Sequence, residues 1–428
     1  MYDVQIIAAE VVFEEQPFVK PLILSTGRIE RITQATASVR IRANGREITG
    51  LGSIYLSDLW AWPDPRFSHE QRDLKLRELT TEIANQLRDL TGRERAHALE
   101  LGLRLHHGVN HLKDQCWSDI PILARSMCLS PFDAAIHDAA GLAFNRSAFA
   151  LYGDETPIPS GDQYFRHGAS SAVLKSLRAS PLQSLPAWII VGKNDNLDSD
   201  LRPWICERGY RCFKLKIMGK DNTVDVARTV DVFNAVRELG ADSPMLSIDS
   251  NEANPDAASV MDYLVRLRAA SPQAFAALQY VEQPTGRDIT ENAFDWREVT
   301  QLKPVLLDEG LTDADLFNEA LKQGWSGFAL KTCKGHSFAL LAAAWALENH
   351  LLISLQDLTN PGYSMLHAAL FGCYLPTING VELNSPQFTP AANDPWMSEL
   401  PGLFAPTHGI HRIKAGTEIG LGAARRLA

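Results

Sequence analysis

The pattern of apolar and polar positions changes character twice along the chain. From residue 1 to about 60, β-rich runs fall at Val4–Ile7, Val39–Ile41 and Ile48–Ile54. Asn44-Gly45 between the last two is a hairpin signal, because a two-residue turn needs positive φ at both central positions. From about 68 to 150 the period lengthens: Leu74, Leu79, Ile83, Leu87 and Leu90 recur near helical spacing. Ser130-Pro131 predicts the opening of another helix, with proline in the first turn where its missing N–H does no harm. From about Ala187 short apolar runs alternate with amphipathic stretches. The predicted strands are Trp188–Val191, Cys212–Ile217, Met245–Asp249, Leu278–Glu282, Val305–Asp308, Gly327–Lys331, Leu352–Asp357 and Gly380–Asn384. One intervening helix carries the stripe Ala227, Val230, Phe233, Val236 and Leu239, with Gly240 as its C-terminal stop. Eight such units in about 250 residues predict an α/β fold, a TIM-like (β/α)-barrel. The expected organisation is an α+β capping domain over residues 1–135, the barrel over 136–400, and a tail, 401–428, that returns to the capping domain.

Composition narrows the function without naming it. The chain has 428 residues, 45% hydrophobic, with a formal net charge of −10. That charge argues against a nucleic-acid partner or an anionic surface, though a metal and a few lysines can invert the field inside one pocket. Cys116, Cys128, Cys206, Cys212, Cys333 and Cys373 form no CxxC pair, so buried free thiols are expected rather than disulfides or a zinc ribbon. The first residues have no basic region leading into an apolar stretch, and no run of 18 apolar residues exists, so a cytoplasmic protein without a membrane partner is expected.

In such a barrel the catalytic groups sit at the C-terminal ends of the strands. Those ends read Lys214 and Lys216, then Asp249, Glu282, Asp308, Lys331 and Asp357, one strand–helix repeat apart from Lys216 onward. Any one of these acids alone would read as a helix cap or a surface ion pair. Three carboxylates at adjacent strand ends, Asp249, Glu282 and Asp308, would repel one another, and a divalent cation removes that problem. Three rigid oxygen ligands suit Mg²⁺, which keeps its other octahedral positions for water or substrate. Lys214 and Lys216 alternate with Phe213, Leu215 and Ile217, so both lysines face the barrel interior. Lys331 lies on a strand roughly opposite. A lysine whose pKa is lowered by a metal and another lysine can act as a general base, whereas a surface lysine would only snorkel.

Phe213-Lys214-Leu215-Lys216 resembles the KxK motif of the muconate-lactonizing-enzyme subgroup of the enolase superfamily, the mandelate racemase/muconate lactonizing enzyme family. Ile248-Asp249-Ser250-Asn251 resembles its third-strand ligand motif, and Val281-Glu282-Gln283-Pro284 its fourth-strand motif. Leu307-Asp308-Glu309 resembles the fifth-strand DE motif and Ala329-Leu330-Lys331 the sixth-strand lysine. The segment from Ser130 to Asp138 is similar to the helix joining cap and barrel. The resemblance implies the barrel in its regular form or in a (β/α)7β variant irregular at the second strand. It implies an isomerase or lyase that uses Mg²⁺, which Mn²⁺ could replace. Its small-molecule substrate is a carboxylate that loses its α-proton to give a metal-stabilised enediolate. Racemisation or epimerisation follows, or a β-elimination such as dehydration or cycloisomerisation. By position, Lys216 and Lys331 match the acid/base lysines and Lys214 the lysine that meets the carboxylate. Asn251, Glu309 and Asp357 are expected beside the substrate or behind the ligands, and a homo-oligomer is implied.

Three features depart from relatives. Gln356-Asp357 stands where the mandelate-racemase subgroup places a histidine. Glu382-Leu383-Asn384-Ser385 replaces the DxD of dipeptide epimerases, and Lys334-Gly335-His336 replaces a double glycine. The first two speak against those substrate classes. Loops Gln16–Arg28 and Gly52–Phe67 are the candidates for setting specificity. The second, with Tyr55, Trp60, Trp62, Pro63 and Pro65, could close over the mouth or simply pack its aromatic residues. Two rival readings are a Schiff-base aldolase built on Lys331 and a barrel kept as a non-catalytic scaffold.

Overall fold

The computed structural model describes residues 2–24, 27–112, 115–154 and 156–423. Its N-terminal sheet has the strand order Arg46–Leu56, Gly27–Ala43, Asp3–Leu24, Ala96–His97. Asn44 and Gly45 both have positive φ, 48° and 75°, as the hairpin turn requires. The strands run much further than the short apolar runs suggested. The expected loop Gln16–Arg28 is the far end of a long hairpin, apart from Ser25 and Thr26, which lie outside the described residues. Pro17 and Pro21 mimic a loop signal. Cross-strand pairing instead shifts register between Pro17 and Leu22 and resumes at Leu22↔Ile29, which proline permits here because the Ala96–His97 strand pairs only with Asp3 and Val4 and leaves this stretch without a second neighbour. The expected loop Gly52–Phe67 likewise begins as strand and continues into the short helix Asp58–Ala61.

Three helical readings need correction. Helix His69–Leu90 buries Arg72, Leu76, Leu79, Ile83 and Leu87, a stripe that leaves Leu74 57% exposed. In helix Asn222–Glu238 the buried face is Val226, Thr229, Val232, Phe233 and Val236, so Ala227 points to solvent. More consequential is helix Ile122–Phe144, which starts after Pro121 and carries Pro131 in its interior. Proline there removes the N–H that would bond Met127 O, one turn back. Ser130 Oγ donates to that carbonyl instead, at 2.8 Å. The helix is buried on nearly all sides because it lies between sheet and barrel. A Cβ on Gly52 would fall 2.0 Å from Pro131 O, and one on Gly50 2.3 Å from Ala139 N, so only glycine lets sheet and helix touch. On the barrel side Asp133 accepts from Ser337 N and Oγ, both at 2.7 Å.

The barrel holds eight parallel strands in sequence order: Trp188–Val191, Cys212–Lys216, Met245–Asp249, Leu278–Glu282, Val305–Leu307, Gly327–Lys331, Leu352–Gln356 and Val381–Glu382. Phe213 and Leu215 pack outward into the helical layer, while Tyr280, Leu306 and Ala329 form an apolar layer inside. The irregularity falls between strands 1 and 2, joined by the single wide turn Pro203–Glu207. No backbone ladder joins strand 8 to strand 1. Gln387 closes the ring with its side chain, accepting from Ile190 N at 3.0 Å and donating to Ile190 O at 2.7 Å. The amide thus replaces one residue of a neighbouring strand. Leu421 N bonds Asp138 Oδ1 at 2.7 Å, which ties the tail to the sheet-to-barrel helix; residues 424–428 lie outside the described residues. No described helix is long and apolar enough to cross a membrane. No disulfide joins the six cysteines. Cys116 and Cys206 are exposed, contrary to the expectation of burial.

Candidate active site

Parallel pairing places the functional side chains in rings, because paired residues point to the same side of a sheet. At the mouth, Lys216 pairs with Asp249 and Asp249 with Glu282; further round, Lys331 pairs with Gln356 and Gln356 with Glu382. Asp308 follows strand 5 directly. One level down, Ile190 pairs with Lys214, Lys214 with Ser247 and Ser247 with Tyr280. These groups open onto a recess of about 530 Å³, counting the space open to solvent at its mouth.

The carboxylates expected at strand ends do converge there, each buried and each held by a lysine. Lys214 Nζ lies 2.7 and 2.8 Å from the two oxygens of Glu282 and 3.2 Å from Asp249. Lys216 Nζ lies 2.5 Å from Asp249 Oδ2 and 3.1 Å from Asn251 Oδ1. Lys331 is hydrogen-bonded to Asp308, with Glu282 at 3.6 Å. Trp60 Nε1 donates to Glu309 Oε1 at 2.9 Å, and its ring stands 5.3 Å from Lys331 Nζ, so Asn251, Glu309 and Trp60 all join the site.

Asp357 does not line the recess. Strand alternation turns Gln356 inward, where its amide donates to Glu282. Asp357 accepts from Thr359 N at 2.9 Å, and burial pushes its carboxyl well above the usual range. Among the carboxylates, Lys331 feels burial and its acidic partners in opposite directions. Burial lowers the pKa of Lys331, but Asp308 and Glu282 outweigh it and hold the amine protonated. Burial likewise opposes ionisation of Asp249, yet Lys216 and Lys214 bring it down to about 2. Glu282 and Glu309 move the other way. Burial, and then the neighbouring acids, push them up to about 7 and about 8.

Several site groups had no assignment in the sequence. Glu382 accepts from Tyr280 OH at 2.9 Å and lies 3.3 Å from Lys214. Its signal was the register Lys331, Gln356, Glu382. Lys334, fully buried, donates to Asp308 O at 2.5 Å and lies 3.1 Å from Asp308 Oδ1. Leu22, inside the Gln16–Arg28 segment expected to set specificity, lines the recess, as does Ile29, one residue beyond that segment.

Among the described residues no three His, Cys, Asp or Glu side chains are grouped to hold a metal as they stand, since lysine ammonium groups occupy the carboxylates. The donor chemistry nevertheless fits a hard divalent ion. The recess is lined by Asp249, Glu282, Asp308, Glu309 and Glu382 against Lys214, Lys216 and Lys331, an excess of two acidic groups. Glu309 Oε2 is buried without a hydrogen-bond partner, and burial with the neighbouring acids works against ionisation of Glu309.

A family model described as enolase C-terminal domain-like matches residues 198–424. The chain belongs to that family. Solved structures similar to this enolase-family chain cover nearly all of it. Muconate lactonizing enzyme from Pseudomonas fluorescens, complexed with muconolactone, is 21% identical, covers 98% of this chain and 96% of its own, and has a TM-score of 0.67. An enolase from Bradyrhizobium complexed with magnesium and mandelic acid is 18% identical, with coverages of 98% and 95% and a TM-score of 0.64. Dipeptide epimerase from Enterococcus faecalis, complexed with Mg and the dipeptide L-Leu-L-Tyr, is 15% identical, with coverages of 98% and 99% and a TM-score of 0.64. At these identities the likeness concerns the fold. No curated protein matches the sequence.

Proposed function

We propose that this enolase-family protein is an isomerase or lyase that moves the proton on the carbon next to a substrate carboxylate. The observation that carries the reading is Lys216 and Lys331 at the ends of strands 2 and 6, four apart in a ring of eight, on one recess. A carbon held between them could lose a proton to one face and receive one on the other, which is racemisation or epimerisation. With one lysine as base, the same carbanion could expel a β-substituent. Lys214, one level below Lys216, is placed to meet the carboxylate from inside the barrel.

Asp249, Glu282 and Asp308 are the proposed ligands of Mg²⁺, or of Mn²⁺ in its place. The bound ion would neutralise the carboxylates that now pair with the lysines and would offset the substrate's own charge. Two of the similar structures are complexes with magnesium, which supports this choice. Asn251 holds Lys216, while Trp60 caps Lys331 and bonds Glu309, so the cap would exclude water from the second base. Residues 1–135 are proposed as the cap, with the division from the barrel falling inside helix Ile122–Phe144.

The test is α-deuterium incorporation from D₂O with Mg²⁺ across a carboxylate panel. For a racemase, Lys216→Ala and Lys331→Ala each abolish turnover yet keep exchange for one enantiomer only. For an elimination, one substitution removes exchange altogether. Losses of at least about 10²–10⁴-fold are expected for a general base. Near-normal turnover in both variants would refute the assignment, and borohydride trapping of Lys331 with substrate would favour an aldolase instead.

A further inference from the structure

Trp60 reaches the recess from the short helix Asp58–Ala61, and both ends of that helix are held by arginine. At its start Asp58 accepts from Arg72 Nε at 2.8 Å, with His69 Nδ1 at 3.1 Å, both from the neighbouring helix His69–Leu90. At its end the hold comes from the barrel. Arg287 Nη2 donates to Trp60 O at 3.2 Å and Arg287 Nη1 to Ala61 O at 3.4 Å. A helix of four residues cannot pair its own last carbonyls, so these acceptors are open to an outside donor.

The guanidinium is aimed by Glu252. Arg287 Nε lies 2.9 and 3.1 Å from the two carboxylate oxygens, Nη2 bonds one of them, and the Arg287 backbone N–H donates to Glu252 at 2.8 Å. This pair bridges the segments after strands 3 and 4, which are also joined by a bond from Glu252 N to Gln283 O at 3.0 Å. The backbone bends to allow it. Asn251 and Glu252 have φ of 46° and 68°, a left-handed conformation that consecutive residues with side chains rarely share. The bend gives neighbouring side chains separate tasks, Asn251 bonding Lys216 and Glu252 bonding Arg287.

Neither Glu252 nor Arg287 lines the recess. What their pairing fixes is the indole, which donates to Glu309 at 2.9 Å and stands 5.3 Å from Lys331 Nζ. A planar guanidinium can meet a carboxylate along one edge and two carbonyls along the next, whereas an ammonium is a single point of charge. We propose that Arg287 is a positioning residue: anchored on Glu252, it locks the Trp60 helix onto the barrel and so keeps the indole over Lys331. The link to catalysis rests on the proton-transfer reading above, and the link to Trp60 does not.

The experiment uses the full-length protein with Mg²⁺. The nine tryptophans are labelled with ¹⁵N, and the Trp60 indole signal is assigned by its loss in Trp60→Phe. Arg287→Lys can still pair with Glu252 but cannot also hold both carbonyls, so it separates the bridge between loops from the grip on the helix. The Trp60 indole N–H should exchange with D₂O at least about 10-fold faster in Arg287→Lys, the effect of losing hydrogen bonds from a charged donor. The buried indoles of Trp296 and Trp325 should keep their rates. Glu252→Gln leaves the guanidinium but weakens its anchor, and should move the Trp60 signal in the same direction. In the Lys216→Ala background, adding Arg287→Lys should lower α-deuterium exchange through Lys331 by at least about 10-fold. In the Lys331→Ala background, exchange through Lys216 should be unaffected. A Trp60 indole as protected in both variants as in the unaltered protein would overturn the proposal. So would faster exchange spread over all the indoles, which would make Arg287 a support of the whole fold, or equal losses through the two lysines. If Arg287→Lys releases the Trp60 indole alone but the unaltered protein exchanges no α-proton on any carboxylate, the positioning inference stands and the proton-transfer reading fails.

Discussion

Replacing Gln387 by leucine should open the seam of the barrel. The side chain, on the helical turn Ser385–Phe388 that follows strand 8, bonds Ile190 of strand 1, accepting from Ile190 N and donating to Ile190 O. Leucine is close in volume but can do neither. Two buried backbone groups would lose their partner, at about 1–3 kcal/mol each, so about 2–6 kcal/mol in all. Against a typical total of about 5–15 kcal/mol this is a large fraction. Because the loss is local, amide hydrogen exchange is the sharper assay than a global unfolding curve. A local destabilisation of about 3 kcal/mol raises the exchange rate of the Ile190 amide by about 100-fold. Gln387→Glu supplies the internal control. Its carboxylate still accepts from Ile190 N, but at pH 8 it sets negative charge against Ile190 O. Protonation restores the donor, so this variant should be worse than Gln387→Leu at pH 8 and recover on acidification. An Ile190 amide as protected in Gln387→Leu as in the unaltered protein would refute the view that the side chain closes the ring.

Other consequences follow from buried groups. Ser130→Ala leaves Met127 O without a donor opposite Pro131 and should lower stability by about 1–3 kcal/mol, read by urea denaturation; no change would mean that water satisfies the carbonyl. Burial raises Asp133 and Asp138 to about 6. Their folded pKa lies above the unfolded value, so their contribution is fully present below about pH 4 and is lost as pH rises through 6. Asp133→Asn and Asp138→Asn should flatten the fall in urea midpoint between pH 4 and 7, and an unaltered slope would count against it. By the same sign, Glu282 and Glu309, raised to about 7 and about 8, should make the chelator-treated protein less stable as pH climbs from about 4.5 to 8. Mg²⁺ at about 100 times its Kd should restore about 2.7 kcal/mol at pH 8. An equal gain in Asp308→Asn would remove that residue from the ligand set.

Residues that act through strand alternation are legible in the amino-acid sequence alone. Lys214 and Lys216 against Phe213 and Leu215, and the strand-end acids Asp249, Glu282 and Asp308, are fixed by a period of two, and the eight-strand order follows from the alternation of strand and helix. That period is a local property of the backbone, so neighbouring letters suffice to read it. The same rule, carried one residue further, would have turned Gln356 inward and Asp357 away. Other features depend on what lies across a distance. Pro131 reads as a helix start because proline usually stands there, and only the surrounding sheet and barrel extend the helix back to Ile122. Pro17 and Pro21 read as loop until a partner strand is present to bridge the interruption. The hold of Arg287 on the Trp60 helix, the Gln387 seam and the approach of Leu22 and Ile29 exist only once residues far apart in the chain meet. Which carboxylate each lysine pairs with is decided in the same way, since charge falls off through space rather than along sequence.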